Sequence, residues 1–420
     1  MYPTNGELRY SLILLSVLLM HALTISETHT LGKSESMDFN ELRKAVEEVE
    51  LVDGHAHNLV EVDSNFPFIH AFSLAHGDAV SFSNSSIAFK RNLRDVAELY
   101  GTELSLEGVE EYRRVNGLHS ISSTCFKAGR FSAILFDDGI GMDKVQDIEW
   151  HKSFIPKVGR ILRVEKLAEK ILNEGLQGGS SWTLASFIGA FSSQLNSVVG
   201  EIYSLKSVVA YYAGLQINTN VTEEDAEEGL RQVLSAQMPI MITNKNLVDY
   251  LFLISLEFAQ SHDLPMQIHT GFGDGGYGLD LRLTNPLNLY NVLEDKRFSK
   301  SRIVLLHASY PFSKEASSLA SVYSQVYLDF GLVIPKLSKH GMVTSVKGLL
   351  EQAPMSKVMF STDSYAFPEL FYLGAKNARE VVFTVLRDAC IDGELSVPEA
   401  VEAAKDLFAR NAIQFYKITI

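Results

Sequence analysis

Eight short apolar runs rich in β-branched residues punctuate the chain, at residues 49–52, 132–136, 158–164, 202–208, 265–268, 302–306, 325–330 and 357–360. Runs that are apolar throughout, rather than alternating, are expected of strands covered on both faces, as in parallel sheets. Amphipathic stretches fill the gaps. Residues 222–237 open with Thr222 and Asp225 at capping-box spacing. Residues 246–260 place Leu247, Tyr250, Leu251, Ile254 and Phe258 on one helical face. Residues 396–416 open with Ser396, Pro398 and Glu399, a good helix start. Strand–helix alternation repeated eight times predicts an α/β chain closed into a (β/α)8 barrel; an open Rossmann sheet is the competitor. One gap, residues 58–131, is long and holds helical patterns at 90–100 and 106–116. It is expected to be an insertion after the first strand, serving as a lid or pocket wall, or as a stabilising decoration.

Composition removes several classes of function. The chain carries 37 basic and 51 acidic side chains, a formal charge of −14, which argues against a surface built to grip nucleic acid. Hydrophobic residues make up 46%, too many for a disordered chain. They are dispersed except at residues 11–25, a stretch shorter than a spanning helix needs but within the range of a signal-peptide core. Residues 1–36 are therefore set apart as a signal-like or extension segment, Met37 being a plausible start, and residues 37–420 form the barrel domain. A cytoplasmic location is expected, or a secreted one if residues 9–26 act as a signal; no stable membrane insertion is expected of the barrel. Two cysteines, Cys125 and Cys390, make no disulfide framework and no cysteine metal cluster. Any metal must be held by His, Asp or Glu.

The chemistry gathers at strand ends. Asp53-Gly54-His55-Ala56-His57 closes the first strand, and alternation points His55 and His57 to one face. Alone this pair is a weak signal. His269 follows the fifth run, His307 the sixth and Asp363 the eighth. In a barrel these ends converge on the carboxyl-end face, where active sites lie. Any one of them singly reads as a satisfied core residue; together they read as a metal site. Lys206, near the end of the fourth run, could pair with a substrate carboxylate or carry its charge to solvent at the barrel mouth. Gly271, Gly273 and Gly276 form a formal dinucleotide fingerprint, but no helix is expected to start there, so they read as a mobile loop over the site. Arg282 within that segment is a candidate clamp for a carboxylate substrate, or a surface arginine. Asp137 and His151 lack a clear partner, and Arg160, Arg163 and Glu165 read as structural ion pairing.

A His-x-His pair on strand one, His on five, His on six and Asp on eight resembles the metal-dependent amidohydrolase superfamily. The segments FNELRKAVEEVELVDGHAHN, DLPMQIHTGFGD, RIVLLHASYPFSKEAS and KVMFSTDSY occur in order and look like the amino-terminal half of plant nodulin/glutamine-synthetase fusion proteins and their FluG-like relatives. The resemblance covers residues 37–420. It implies a TIM-like metal-dependent hydrolase barrel with His55, His57, His269 and Asp363 as metal ligands. It implies catalytic roles for Asp363, as proton acceptor, for His307, which would orient the attacking water or polarise a carbonyl, and for Lys206, which bridges two metals in superfamily members that modify it. Arg282 stays the substrate-binding candidate. The cofactor implied is a divalent metal ion, zinc by default, with manganese or iron open. The activity implied is hydrolysis, at a C–N bond, of a small amide-like or carboxylate-bearing molecule. A decarboxylase or hydratase on the same barrel and a non-catalytic signalling or interaction module are the alternatives. The partner expected is a small-molecule substrate, with a homo-oligomer allowed. The glutamine-synthetase-like part of the fusions has no counterpart here, so no such activity is expected of this chain. Tyr212 stands where the related proteins usually have Arg.

Overall fold

Each apolar run lies on a buried parallel strand. In the computed structural model, which describes residues 38–179, 181–273 and 279–419, the strands are β1 (Leu51–Ala56), β2 (Phe131–Asp137), β3 (Lys157–Arg163), β4 (Ile202–Ser207), β5 (Met266–Ile268), β6 (Ile303–Leu305), β7 (Val326–Asp329) and β8 (Val358–Met359). They pair in chain order, all parallel. Past Met359 the chain runs on beside β1: Gly54 N donates to the Phe360 carbonyl (3.1 Å) and Asp363 N to the His55 carbonyl (2.9 Å). These bonds bring the two edges of the sheet together as a (β/α)8 barrel, and closure removes the unpaired edges that an open sheet would leave. The signal-like segment before Met37 and residues 274–278 of the glycine-rich stretch lie outside the described residues.

Inward side chains fill the lower barrel. Val52, Ala133, Leu135, Ile161, Val304, Leu306 and Met359 pack with Ala412, Phe415, Tyr416 and Ile418. The last helix, Asn411–Tyr416, thus plugs the amino-terminal end, each large apolar side chain contributing roughly 1.5–3 kcal/mol by burial. The chemistry is left to the opposite end.

The outer layer follows the capping signals where they are strong. Thr222 and Asp225 form a reciprocal capping box on helix Glu223–Leu234, as do Ser396 and Glu399 on helix Val397–Lys405. Helix Lys245–Ser261 forms as expected and buries Leu247 and Leu251 of the expected face, but its buried stripe also takes in Val248, Phe252, Ser255, Leu256 and Ala259, while Tyr250, Ile254 and Phe258 are only partly buried. The stripe is rotated from the sequence-based face because this helix is apolar on most sides. The alternation is imperfect twice. Only the short helix Ile148–His151 lies between β2 and β3, and among the described residues only 3-10 turns and Tyr290–Glu294 lie between β5 and β6. The β2–β3 segment is pinned to the rim by His151, whose Nε2 accepts from Leu59 N (3.2 Å) while Nδ1 donates to the Asp147 carbonyl (2.8 Å).

Between β1 and β2 lie 3-10 turns and the helices Ile87–Tyr100 and Leu106–Gly129. The second breaks at Gly117 (φ +73°), a left-handed angle that glycine tolerates, and packs along Pro368–Ile391 as the outer-ring helix of this unit. The added material is therefore concentrated before Leu106. It is anchored by Glu369, which pairs with Arg113 and accepts from the Tyr100 hydroxyl (2.6 Å).

Candidate metal centre

Val52 faces the interior core, so strict alternation along β1 would turn His55 outward. A register irregularity between Asp53 and Ala56 resets the phase. His55 and His57 then both enter the barrel mouth, ring centroids 4.9 Å apart.

Hydrogen bonding behind the rings fixes their tautomers. Gln267 Nε2 donates to the Gly54 carbonyl (2.7 Å) and to the Tyr416 hydroxyl (2.8 Å). Its Oε1 therefore faces His55 Nδ1 at 2.7 Å, and Nδ1 must carry the proton. His57 Nδ1 likewise donates to the Asp137 carbonyl (2.8 Å). Both Nε2 atoms are left pointing inward, and each lies 3.2 Å from the same atom, Asp363 Oδ1. Burial, and then the charge of Lys206, pull the His55 pKa down to about 4, so no proton fills its gap at neutral pH. Burial alone would raise Asp363, yet His307, His55 and His57 together hold it well below the usual carboxylate range. Two imidazole nitrogens thus converge on one ionised carboxylate oxygen, with the Lys206 amino group 3.1 Å from His55 Nε2. This donor set therefore fits a divalent metal ion.

His307 adds a buried ring nitrogen beside this group. Its Nδ1 is buried with no hydrogen-bond partner and lies 3.7 Å from Asp363 Oδ2. Burial holds its pKa, like that of His269, well below the ordinary value, so both rings are neutral. His307 (φ +67°) and Asp363 (φ +50°) occupy the left-handed region, a strain of roughly 1–3 kcal/mol each. Two buried carboxylates stabilise these turns. Asp329 Oδ1 accepts from His307 N (2.5 Å), and its other oxygen accepts from the Ser361 hydroxyl. Asp53 accepts from Thr362 N (2.9 Å), the Thr362 hydroxyl (2.5 Å) and His55 N (3.2 Å). Burial pushes Asp53 up to about 8 and Asp329 up to about 7, with these donors opposing.

Lys206 does not carry its charge to solvent. It is 1% exposed, its Nζ lies 3.1 Å from His55 Nε2, and burial pulls its pKa down to about 8 against the opposing charge of Asp137.

The strand-end residues thus converge, with two differences from the sequence reading. Ligand atoms of His55, His57 and Asp137, and of His55, His307 and Asp363, lie within 4.8 Å of one another. His269 belongs to neither group. Its Nε2 is 3.1 Å from the Phe272 carbonyl, while its ring centroid lies 4.5 Å from those of both His307 and Tyr211, tilted to them by 58° and 56°. Arg282 is not drawn into the cluster. Its guanidinium is 89% exposed and bound through Nε and Nη2 to Asp280 (2.9 and 2.6 Å), because the short 3-10 turn Leu281–Thr284 is capped by that same Asp280. Tyr212 donates to Glu169 (2.9 Å), and it is Tyr211 that borders His269. Gly271 is required where it stands: φ is +69°, and a Cβ would collide with the backbone of Ser309 and Tyr310.

Sequence reasoning passed over Gln267, Asp53 and Asp329 as site residues, and it left Asp137 without a partner. The available signal was an isolated polar residue inside, or ending, an apolar strand, which a covered strand tolerates only when it is hydrogen-bonded.

Among known proteins, a family model described as Amidohydrolase matches residues 249–418. The protein fluG of Emericella nidulans is 28% identical over 410 residues, which is 90% of this chain and 47% of fluG. The chain thus spans about half the length of that relative. Among solved structures, a candidate metal-dependent hydrolase from Lactobacillus casei superposes with a TM-score of 0.77 at 23% identity, covering 90% of this chain and 97% of its own. Uronate isomerase from Thermotoga maritima superposes with a TM-score of 0.64 at 15% identity, covering 90% and 97%. These two structures share the barrel fold.

Proposed function

We propose that the chain, which matches an Amidohydrolase family model over residues 249–418, is a metal-dependent hydrolase that directs water at a C–N bond of a small amide-like or carboxylate-bearing substrate. The observation that carries this reading is the convergence of two imidazole nitrogens, His55 Nε2 and His57 Nε2, on Asp363 Oδ1 at 3.2 Å. His55, His57 and Asp363 would hold the ion. The further donor is His307, whose buried Nδ1 has no hydrogen-bond partner, or His269 after release of the Phe272 carbonyl. Imidazole and carboxylate donors suit zinc, which we take as the metal. A divalent ion held there supplies the positive charge that acidifies water and polarises a carbonyl.

The chain's own groups supply the rest. Asp363, ionised and held in a fixed left-handed turn, is placed to take a proton from the attacking water and pass it to the leaving nitrogen. His307, neutral and fixed by Asp329 through its backbone N–H, orients that water or the substrate carbonyl. Lys206 sets the charge beside His55. It either pairs with a substrate carboxylate or, once modified by carbon dioxide, becomes a further carboxylate donor. The substrate enters from the carboxyl-end mouth, since Phe415 and Tyr416 fill the other end. No helix among the described residues is long and apolar enough to cross a membrane.

The test is a screen of the zinc-loaded protein against small N-acyl and carboxamide compounds, read as amine or ammonia release. Turnover that disappears in His55→Ala and Asp363→Asn supports the proposal. Carbon dioxide release without amine moves the chain to a lyase, and turnover unchanged in both variants removes this site from the chemistry.

A further inference from the structure

Arg163 looks from sequence like half of a structural ion pair, yet the fold builds it into the barrel mouth. It ends β3, and Ile161, two residues earlier on the strand, lies in the interior core, so alternation turns Arg163 inward as well. Its register partner on β4 is Lys206. Its side chain is 12% exposed. Nε and Nη2 both donate to one oxygen, Asp137 Oδ2, at 3.0 and 2.6 Å. Asp137 is itself fixed: its Oδ1 accepts from Gly139 N (2.9 Å), and its carbonyl takes the His57 Nδ1 proton. Gly139 lies so close over the arginine stem that a Cβ there would come within 2.8 Å of three of its side-chain atoms. The guanidinium is therefore locked in one orientation. Its remaining nitrogen, Nη1, donates to no described residue and is not sealed from solvent. On the side towards β5, Tyr211 is near enough to influence Arg163 electrostatically, and the Tyr211 ring lies 4.5 Å from that of His269.

We propose that Arg163 is the residue that recognises a carboxylate of the substrate, with Nη1 and the open edge of the guanidinium directed into the mouth beside the His55–His57–Asp363 cluster. This rests on the reading of that cluster as the reaction centre and names the group that selects for acids there. A cation held by only one oxygen of a single carboxylate keeps donors in reserve. A planar guanidinium offers them in the fork geometry that a second carboxylate matches. Its position beside Lys206 places two cationic side chains on one wall, a wall that favours an anionic ligand over its neutral amide. Arg282, which also uses only Nε and Nη2 on its aspartate, is 89% exposed and lies outside the cluster, so it has no place on that wall.

The experiment is calorimetric titration of the zinc-loaded full chain with acetate, benzoate, succinate and glutarate, each paired with its carboxamide, alongside measurement of zinc content. The expected result is that at least one acid binds tenfold or more tightly than its amide. Arg163→Met is expected to abolish that preference, a loss of 10- to 100-fold for the acid with amide binding unchanged. Arg163→Lys keeps a cation against Asp137 but loses the fork; it guards against misfolding and is expected to weaken acid binding about tenfold with zinc content unaltered. An equal affinity of wild type for acids and amides overturns the proposal, as does an acid preference that survives in both variants. Zinc content is read separately, so loss of the metal reading and loss of the Arg163 reading are distinguishable.

Discussion

Replacing Gln267 with leucine probes the tautomer lock on His55. The glutamine is wholly buried and makes three hydrogen bonds, to His55 Nδ1, the Gly54 carbonyl and the Tyr416 hydroxyl. Leucine nearly fills the space, so the cost is polar rather than a cavity. His55 Nδ1 loses its acceptor, the ring is no longer held with Nε2 inward, and either nitrogen can then carry the proton. Outer partners of metal-bound histidines are typically worth 10- to 100-fold in affinity, which is about 1.4–2.8 kcal/mol. The fold pays separately, by roughly 1–3 kcal/mol for each buried polar group left without a partner. Gln267→Glu separates the two effects. It keeps an acceptor for His55 but sets a carboxylate against the Gly54 carbonyl, so zinc affinity is expected to hold within about threefold while stability falls. The assay is zinc competition against a chelator of known affinity, with denaturant unfolding of the metal-free protein run in parallel. Unchanged zinc affinity in a folded Gln267→Leu protein would refute the lock.

Two further outcomes follow from buried groups away from the cluster. His151 is held neutral, its pKa pulled by burial from 6.5 to about 4. Below pH 6.5 the unfolded chain takes up a proton that the fold refuses, so this contribution is full above pH 6.5 and is lost as pH falls towards 4. The loss amounts to about 3 kcal/mol at most. In denaturant titrations at pH 7 and 4.5, His151→Gln is expected to be the less pH-sensitive protein; equal sensitivity contradicts the assignment. Arg113→Met leaves Glu369 sealed in the core without its ion partner and is expected to cost roughly 3–5 kcal/mol, most of it recovered in Arg113→Met/Glu369→Leu. A double variant no more stable than the single one would show that the buried pair is not the source of the loss.

Much of the barrel was legible because both-face burial writes itself as unbroken apolar runs, and because ionisable residues after several such runs, bland one by one, read jointly as a site. His55, His57, His307 and Asp363 were found in that way. What stayed hidden depends on direction rather than identity. Arg163 and Arg282 are both arginines near strand ends, but only the parity of β3 and the grip of Asp137 turn one inward, while Asp280 holds the other at the surface. Tyr211 and Tyr212 are adjacent, and a short helix sends one to His269 and the other to Glu169. The phase reset in β1 and the left-handed turns at His307 and Asp363 leave no mark in composition or periodicity; they are held by Asp53 and Asp329 across the barrel.

The proposed chemistry stands or falls on a cation among His55, His57 and Asp363. Elemental analysis of the full chain, purified without chelator and then dialysed against trace zinc, measures this directly. At least one equivalent of tightly held divalent metal is expected in the wild type, with loss in His55→Ala and in Asp363→Asn. Wild-type protein without stoichiometric metal, or variants that keep it in full, would contradict the assignment.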